Sequence, residues 1–244
     1  MKCLIFAAGL GTRLKPLTDT MPKAMVPVAG KPLIEHILCK VAAAGFDEAV
    51  INVHHFADQI IEFVARHDFG LKIAISDERE ALLETGGGIK KAQSLIGAAE
   101  PFLVHNVDIL SNLNLSEFYR LHRRADLATL LVSRRATNRY LLFDANRRLV
   151  GWTNLSTGEV KSPYPDLDVT KCEKLAFAGI HVISPAVFKL METWSGKFSI
   201  IDFYLSVCAT QTIRGVEIPR MQMLDVGKVD SLCEAEIFLQ TEYD

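Results

Sequence analysis

Four short apolar runs, 2–7 (KCLIFA), 49–53 (AVINV), 71–75 (LKIAI) and 101–107 (PFLVHNV), alternate with stretches of helical periodicity at 32–44, 57–67 and 85–97. This alternation constrains the fold more than any other feature. A helix between two short strands returns the chain to the same end of a sheet, so the strands pair in parallel. The expected architecture is α/β in three layers, a mixed, mostly parallel sheet with helices on both faces. In 32–44, Leu33, Ile37, Leu38 and Val41 share one face; Pro32 stands in the first turn and Gly45 supplies the C-terminal cap. A helix over 116–125, strands over 127–132, 176–183 and 213–218, and helices over 185–192, 199–209 and 229–241 continue the pattern. The segment 134–175 changes character and is expected to lay short strands and loops over the mouth of the sheet, within one domain spanning 1–244.

The charges nearly balance, with 27 basic and 29 acidic residues. A chain that wraps a polyanion carries a basic bias, so no nucleic-acid partner is expected, and any phosphate chemistry must rest on a local site. Cysteines stand at 3, 39, 172, 208 and 233, an odd number with no CxxC pair, which argues against a disulfide framework and for a reducing cytoplasm. The run Cys3–Ala8 is too short for a leader, and no apolar stretch approaches ~18 residues, so no membrane association is expected.

Ligands of open parallel sheets bind at the carboxyl ends of the strands. There the first strand runs into Ala7-Ala8-Gly9-Leu10-Gly11-Thr12-Arg13-Leu14. Small residues let the backbone approach a phosphate or base, successive N–H groups form an anion nest, and Arg13 adds a planar fork. The run is neither GxGxxG nor a Walker A loop. Pro22 and Pro27 pin the next loop, which carries Lys23 as a point charge. Leu83-Glu84-Thr85-Gly86-Gly87-Gly88 opens a helix with three residues that cost helical stability, and it is expected to expose backbone groups to an anion or a planar base. His105-Asn106-Val107-Asp108 closes the fourth strand with a carboxylate suited to Mg²⁺.

Together, AAGLGTRLKPLT and PKAMVPVAGKPLIEH closely resemble the sugar-1-phosphate nucleotidyltransferases across more than thirty residues. The resemblance implies a Rossmann-like, GT-A-like nucleotidyltransferase fold with a small sugar-binding insertion at about 134–175. It implies Mg²⁺-dependent transfer of a nucleotidyl group from a nucleoside triphosphate to a sugar 1-phosphate, with release of pyrophosphate. LETGGGI is most similar to the N-acetylmuramate 1-phosphate uridylyltransferases, so UTP with an N-acetylated sugar is expected first. GTP with mannose 1-phosphate, as in the mannose-1-phosphate guanylyltransferases, comes next. Carried over by position, Ala7, Ala8, Gly9, Gly11, Thr12, Arg13, Lys23, Glu84, Thr85, Gly86, Gly87 and Asn106 bind the nucleotide. Arg13, Lys23, Asp108 and Asp225 carry the chemistry, with Asp108 and Asp225 as metal ligands; Asp225 lies in Leu224-Asp225-Val226-Gly227, a turn with no such role by itself. Phe177-Ala178-Gly179-Ile180 resembles the strand whose glycine makes room for the sugar, and Asn154 is placed to hydrogen-bond sugar hydroxyls.

The pattern is departed from at Ala24, in place of proline, and at Val107, in place of a small residue. A homodimer is a further expectation of the resemblance. Transfer to choline phosphate or a phosphonate, and a catalytically silent nucleotide-sugar-binding protein, are the alternatives. No hexapeptide repeat follows, so no second activity is expected. His54-His55, His36 with Cys39, Trp152 and Trp194 read as capping or packing residues, Arg134 and Arg135 as solvated charges within reach of a sugar phosphate, and Glu173 and Lys174 as further candidates at the sugar end.

Overall fold

A computed structural model describes residues 1–242. In chain order the elements are β1 (Lys2–Phe6), β2 (Pro27–Val28), β3 (Lys31–Pro32), α1 (Leu33–Ala43), β4 (Glu48–Val53), α2 (Ala57–Arg66), β5 (Lys72–Asp77), α3 (Glu84–Lys91), α4 (Gln93–Ile96), β6 (Phe102–Asn106) and β7 (Ile109–Ser111). They continue with α5 (Leu115–Arg120), β8 (Ala128–Ser133), β9 (Arg139–Phe143), β10 (Leu149–Asn154), β11 (Glu159–Lys161), β12 (Glu173–Ile183), α6 (Ala186–Leu190), α7 (Ile200–Val207), β13 (Ile213–Val216), β14 (Met223–Asp225) and α8 (Ser231–Glu242).

Among the described residues the main sheet runs β11-β10-β9-β12-β6-β1-β4-β5, with β8 paired to β12 and β13 to β8. Through β6, β1, β4 and β5 every pairing is parallel, as the alternation of strands and helices requires. At β12 the sheet turns antiparallel against β6, β8 and β9. The segment 134–175 therefore does more than cover the sheet: β9, β10 and β11 extend it by hydrogen bonding.

Alternation along the strands divides the apolar residues into two layers. Cys3, Ile5, Ala49, Ile51, Val53 and Leu103 face α1, α2 and α8, whereas Leu4, Val50, Phe102 and Val104 face α3, α6 and α7. The helix α1 buries Leu33, Ile34, Ile37, Leu38 and Val41. Pro32 sits one residue before its first turn, in an extended conformation, and Gly45 closes it at φ +79°. The helix expected over 85–97 is divided at Ala92, whose N–H returns to the Gly88 carbonyl. The helix expected over 116–125 ends at Arg120, because His122-Arg123-Arg124 offers no apolar face to hold a further turn. No helix among the described residues is long and apolar enough to cross a membrane.

Candidate functional site

The carboxyl ends of β1, β4 and β6 open into a cleft of about 450 Å³. Its floor is the loop that leaves β1. The Asn52 side chain, almost fully buried at the end of β4, accepts from the N–H groups of Ala7 at 2.7 Å and Ala8 at 3.2 Å. The amides of Gly9, Leu10 and Gly11 find no partner among the described residues, leaving a run of donors along the cleft. A Cβ on Gly9 would meet nothing within 4 Å, so a ligand has open approach to the backbone there. Gly11 adopts φ +62°, and a Cβ would stand 2.9 Å from Thr18 Cγ2 and 3.0 Å from Lys23 Cβ; no other residue fits that turn without strain.

Gly11 thereby seats Lys23 beneath the loop. Lys23 is 8% exposed, held in a tight turn in which the Met25 N–H donates to Pro22 O and the Val26 N–H to Lys23 O. Its ammonium pairs with the Asp108 carboxylate. Partly buried and charge-assisted, this pair is stronger than an exposed one. Asp108 lies in the turn between β6 and β7, and β7 pairs with β14. The Val226 N–H donates to Asp108 O at 2.8 Å, so residues distant in the chain meet at one end of a two-stranded ribbon. Asp225 and Arg13 converge on Gly227, where a Cβ would stand 2.6 Å from Asp225 Oδ1 and 2.8 Å from Arg13 Nη2.

The opposite wall carries Leu82, Glu84 and Thr85. Glu84 opens α3 at φ +58°, a conformation costly for a side chain with a Cβ. Behind it lies Glu78, absent from the sequence expectations and wholly buried. Its Oε1 accepts from Asn52 Nδ2 at 2.9 Å and its Oε2 from the Leu83 N–H at 3.3 Å. Burial pushes the pKa of this carboxyl above the usual carboxylate range, against the opposing effect of those two hydrogen bonds. Glu78 and Asn52 thus tie the β1 loop to the start of α3. Asn52 had one signal, a polar residue inside the apolar run AVINV; Glu78, within the acidic stretch SDERE, had none.

Most of the expected residues meet here: Ala7, Ala8, Gly9, Gly11, Thr12, Arg13, Lys23, Glu84, Thr85, Asn106 and Asp108 line the cleft, and Asp225 stands at its Gly227 edge. Gly86 and Gly87 do not line it. Their N–H groups donate to Phe198 O, and a Cβ on Gly86 would lie 2.4 Å from the Phe198 ring. Gly86 and Gly87 are explained by the close packing of α3 against the segment entering α7, and Gly88 by its approach to Glu78 Oε1, where a Cβ would stand 2.9 Å away.

Asn154 lines a second cavity of about 500 Å³. One face of the β9-β10-β11 ribbon builds it in two cross-strand rows, Arg139-Asn154-Glu159 and Leu141-Trp152-Lys161. Trp152 packs against the apolar layer, as expected, and is also part of the wall. Lys161 lies over the Trp152 ring, 5.4 Å from its centroid, and pairs with Asp202 at 3.2 Å. Gly179, at φ +76°, instead makes room for Asn106, whose Nδ2 would lie 2.6 Å from a Cβ. Glu173 belongs to an ion network with Arg134 and Arg147, and it lines neither cavity. The two cavities are neighbours. Thr85 in the first accepts at 2.9 Å from the N–H of Ile200, and Ser199 and Ile201 stand in the second.

The family model of nucleotidyl transferases matches residues 2–242. An N-acetylmuramate alpha-1-phosphate uridylyltransferase of Caulobacter vibrioides is 34% identical over 242 residues, 96% of this chain and 94% of that one. Mannose-1-phosphate guanylyltransferase 1 of Arabidopsis thaliana is 28% identical over 93% of this chain and 62% of its own length. Among solved structures, a putative glucose-1-phosphate thymidylyltransferase from Bacillus anthracis in complex with a sucrose superposes with a TM-score of 0.81 at 19% identity, over 98% of this chain and 94% of that one. A UDP-glucose pyrophosphorylase complexed with UDP-glucose gives 0.78 at 19% identity, over 99% and 98%.

Proposed function

Because the chain belongs to the nucleotidyl transferase family and is an enzyme of the sugar-1-phosphate nucleotidyltransferase type, we propose that it transfers a uridylyl group from UTP to an N-acetylated sugar 1-phosphate in the β1–β4–β6 cleft. The observation that carries this reading is the convergence, in one cleft, of unpartnered amides, the Lys23–Asp108 pair and the Arg13–Asp225 edge at Gly227. The choice of base and sugar is supported by the Caulobacter vibrioides relative, which matches along nearly its whole length.

A phosphate oxygen of the sugar 1-phosphate attacks the α-phosphorus of the triphosphate, and the bond to the pyrophosphate oxygen breaks. No covalent nucleophile from the protein is required; the residues must align two phosphates and neutralise charge. The amides of Gly9, Leu10 and Gly11 hold the triphosphate, and the exposed Arg13 guanidinium holds the departing pyrophosphate. Lys23, fixed by the loop turn, meets the charge that builds on the α-phosphoryl oxygens.

The donor set fits a divalent cation. Asp108 and Asp225 offer hard carboxylate oxygens at one end of the β7–β14 ribbon, and Gly227 keeps clear the space that a Cβ would take from Asp225. Mg²⁺ held there supplies Lewis-acid charge neutralisation for the phosphates. Release of pyrophosphate with Mg²⁺, scanned over UTP, GTP, CTP and dTTP against a panel of sugar 1-phosphates, tests the reading. Turnover with UTP and an N-acetylated sugar, lost in Asp108→Asn, is the expected result. Turnover only with choline phosphate, or silence from folded protein, overturns it.

A further inference from the structure

We propose that Glu78 and Asn52 are positioning residues for the nucleoside triphosphate: Glu78 fixes the direction of the Asn52 side-chain amide, and that amide decides which N–H groups of the β1 loop face the cleft. This deepens the transferase reading and rests on it.

Each bond around Asn52 has one possible direction. The N–H groups of Ala7 and Ala8 can only donate, and both converge on Asn52 Oδ1, at 2.7 Å and 3.2 Å. The ionised Glu78 carboxyl can only accept, and its Oε1 takes Asn52 Nδ2 at 2.9 Å. Turning the amide over would set its NH₂ group against two N–H donors and its oxygen against a carboxylate. The loop and Glu78 together therefore leave Asn52 a single orientation. With Ala7 and Ala8 drawn onto that one oxygen, the next three amides, of Gly9, Leu10 and Gly11, are the ones left for a ligand.

The second oxygen of Glu78 reaches the opposite wall. Oε2 accepts at 3.3 Å from the N–H of Leu83, the residue before α3, and Glu84 and Thr85 of α3 line the cleft. The Glu78 backbone is tied down as well: its N–H donates to Val53 O at 2.7 Å, and its carbonyl accepts from His54 Nδ1 at 2.7 Å. One carboxylate thus sets the spacing between the loop that meets phosphates and the wall across the cleft from it.

The cost of the arrangement shows that packing alone does not account for it. Glu78 is wholly buried and makes no ion pair among the described residues, so the fold bears the desolvation of a carboxylate answered by neutral donors. An apolar side chain would fill the same space without that cost. Gly88 makes the room: a Cβ there would stand 2.9 Å from Glu78 Oε1 and 3.2 Å from Asn52 Nδ2.

The test exchanges the two functional groups. Glu78→Gln keeps the shape of the side chain, but its NH₂ group must face either the Leu83 N–H or the Asn52 NH₂, and one bond is lost. Combining Glu78→Gln with Asn52→Asp regains every bond with the central one reversed. The new carboxylate takes the Ala7 and Ala8 N–H groups on one oxygen and the NH₂ group of the new amide on the other, while the amide oxygen takes the Leu83 N–H. Calorimetric titration with UTP, GTP, CTP and dTTP in the presence of Mg²⁺ gives Kd, beside thermal melts and pyrophosphate release. For the triphosphate that the wild-type protein binds most tightly, Glu78→Gln is expected to raise Kd and KM by about 10-fold, the order of one hydrogen bond. The KM of the sugar 1-phosphate should not move, and Tm should stay within about 2–4 °C of wild type. The double variant is expected to return Kd to within about 3-fold of wild type. An unchanged Kd in Glu78→Gln, unfolding of that variant at the assay temperature, or a double variant that fails to fold or binds no tighter than Glu78→Gln overturns the inference. Triphosphate binding without pyrophosphate release from any sugar 1-phosphate sinks the transferase reading and leaves the inference to the Kd values. No binding of any triphosphate by the wild-type protein overturns both.

Discussion

Replacing Gly227 by alanine separates the proposed role of the Arg13–Asp225 edge of the cleft from the stability of the fold. Gly227 is buried but has no left-handed φ, so alanine is compatible with its backbone. The added Cβ would stand 2.6 Å from Asp225 Oδ1 and 2.8 Å from Arg13 Nη2, against the 3.4 Å at which an ordinary contact begins. Both atoms are ends of flexible side chains, so each retreats by somewhat under ~1 Å while the backbone holds. A displacement of that size in groups that align phosphates costs on the order of 100-fold in kcat. Stability should change by about 1 kcal/mol or less, a Tm shift of roughly 2–4 °C for a chain of this length. Pyrophosphate release and a thermal melt, run on the same preparation, read the two effects separately. Wild-type kcat in Gly227→Ala would refute the placement of Arg13 and Asp225 at the reacting phosphates. A Tm loss above about 10 °C would instead show that the backbone, and not the side-chain ends, absorbs the clash.

Gly86→Ala forces a Cβ against the Phe198 ring and carbonyl, and overpacking of this kind should cost about 1–3 kcal/mol, read as a lower Tm. Lys23→Met keeps the length of the side chain but strands Asp108 without its cation, and should lower kcat by about 10²-fold or more in the pyrophosphate assay. Asn52→Asp sets a second carboxylate against Glu78, whose carboxyl burial already holds above its usual range. The native pair then keeps a proton that the unfolded chain releases, so the variant should be destabilised at pH 8 and recover as the pH falls, in urea titrations at several pH values. Burial lowers the buried His105 to about 4 and His181 to about 3. Their contribution is present above the unfolded value near 6.5 and is lost as the pH falls through the folded values, roughly 3–5 kcal/mol for each. The slope of stability against pH below 6.5 should be shallower in His181→Phe combined with Tyr204→Phe, which removes the bonded pair together.

The parallel half of the sheet was legible because each strand there follows an apolar run of fixed length and each crossover carries its own helical face. The loops that bear Gly9, Lys23 and Asp108 were legible through their combined pattern at the strand ends, which resembles the sugar-1-phosphate nucleotidyltransferases; a lone lysine in a loop reads as solvated surface. Long-range pairing was not legible. Nothing in GEVKS announces that β11 pairs with β10, or that a ribbon of β7 and β14 carries Asp225 to Asp108. The three glycines of LETGGG were singled out for the right reason, their cost, but two of them turn away from the cleft. The demand for small residues at those two positions comes from Phe198 and Gly196, more than a hundred positions later, and local patterning does not express such partners. Glu78 escaped for the opposite reason. A glutamate among charged residues reads as solvated surface, and only the tertiary fold places it beneath Asn52.

The two departures from the family pattern lose their force once packing is considered. Proline in place of Ala24 would stiffen the loop that carries Lys23. Here the tight turn, closed by the Met25 and Val26 N–H groups, fixes the backbone, and Ala24 itself is fully buried. The rigidity that a proline ring supplies locally is supplied by burial and hydrogen bonding, and Lys23 reaches Asp108 regardless. Val107 is 4% exposed and belongs to the apolar layer shared with α1, while its N–H donates to Phe6 O at 3.1 Å. Val107 also lines the cleft, so its bulk is shared between that apolar layer and the floor, while the Val226 N–H bond to Asp108 O holds Asp108 in the turn that follows. Both side chains are held by close packing in the apolar layer, and the Lys23–Asp108 pair at the strand ends is kept in place beside them.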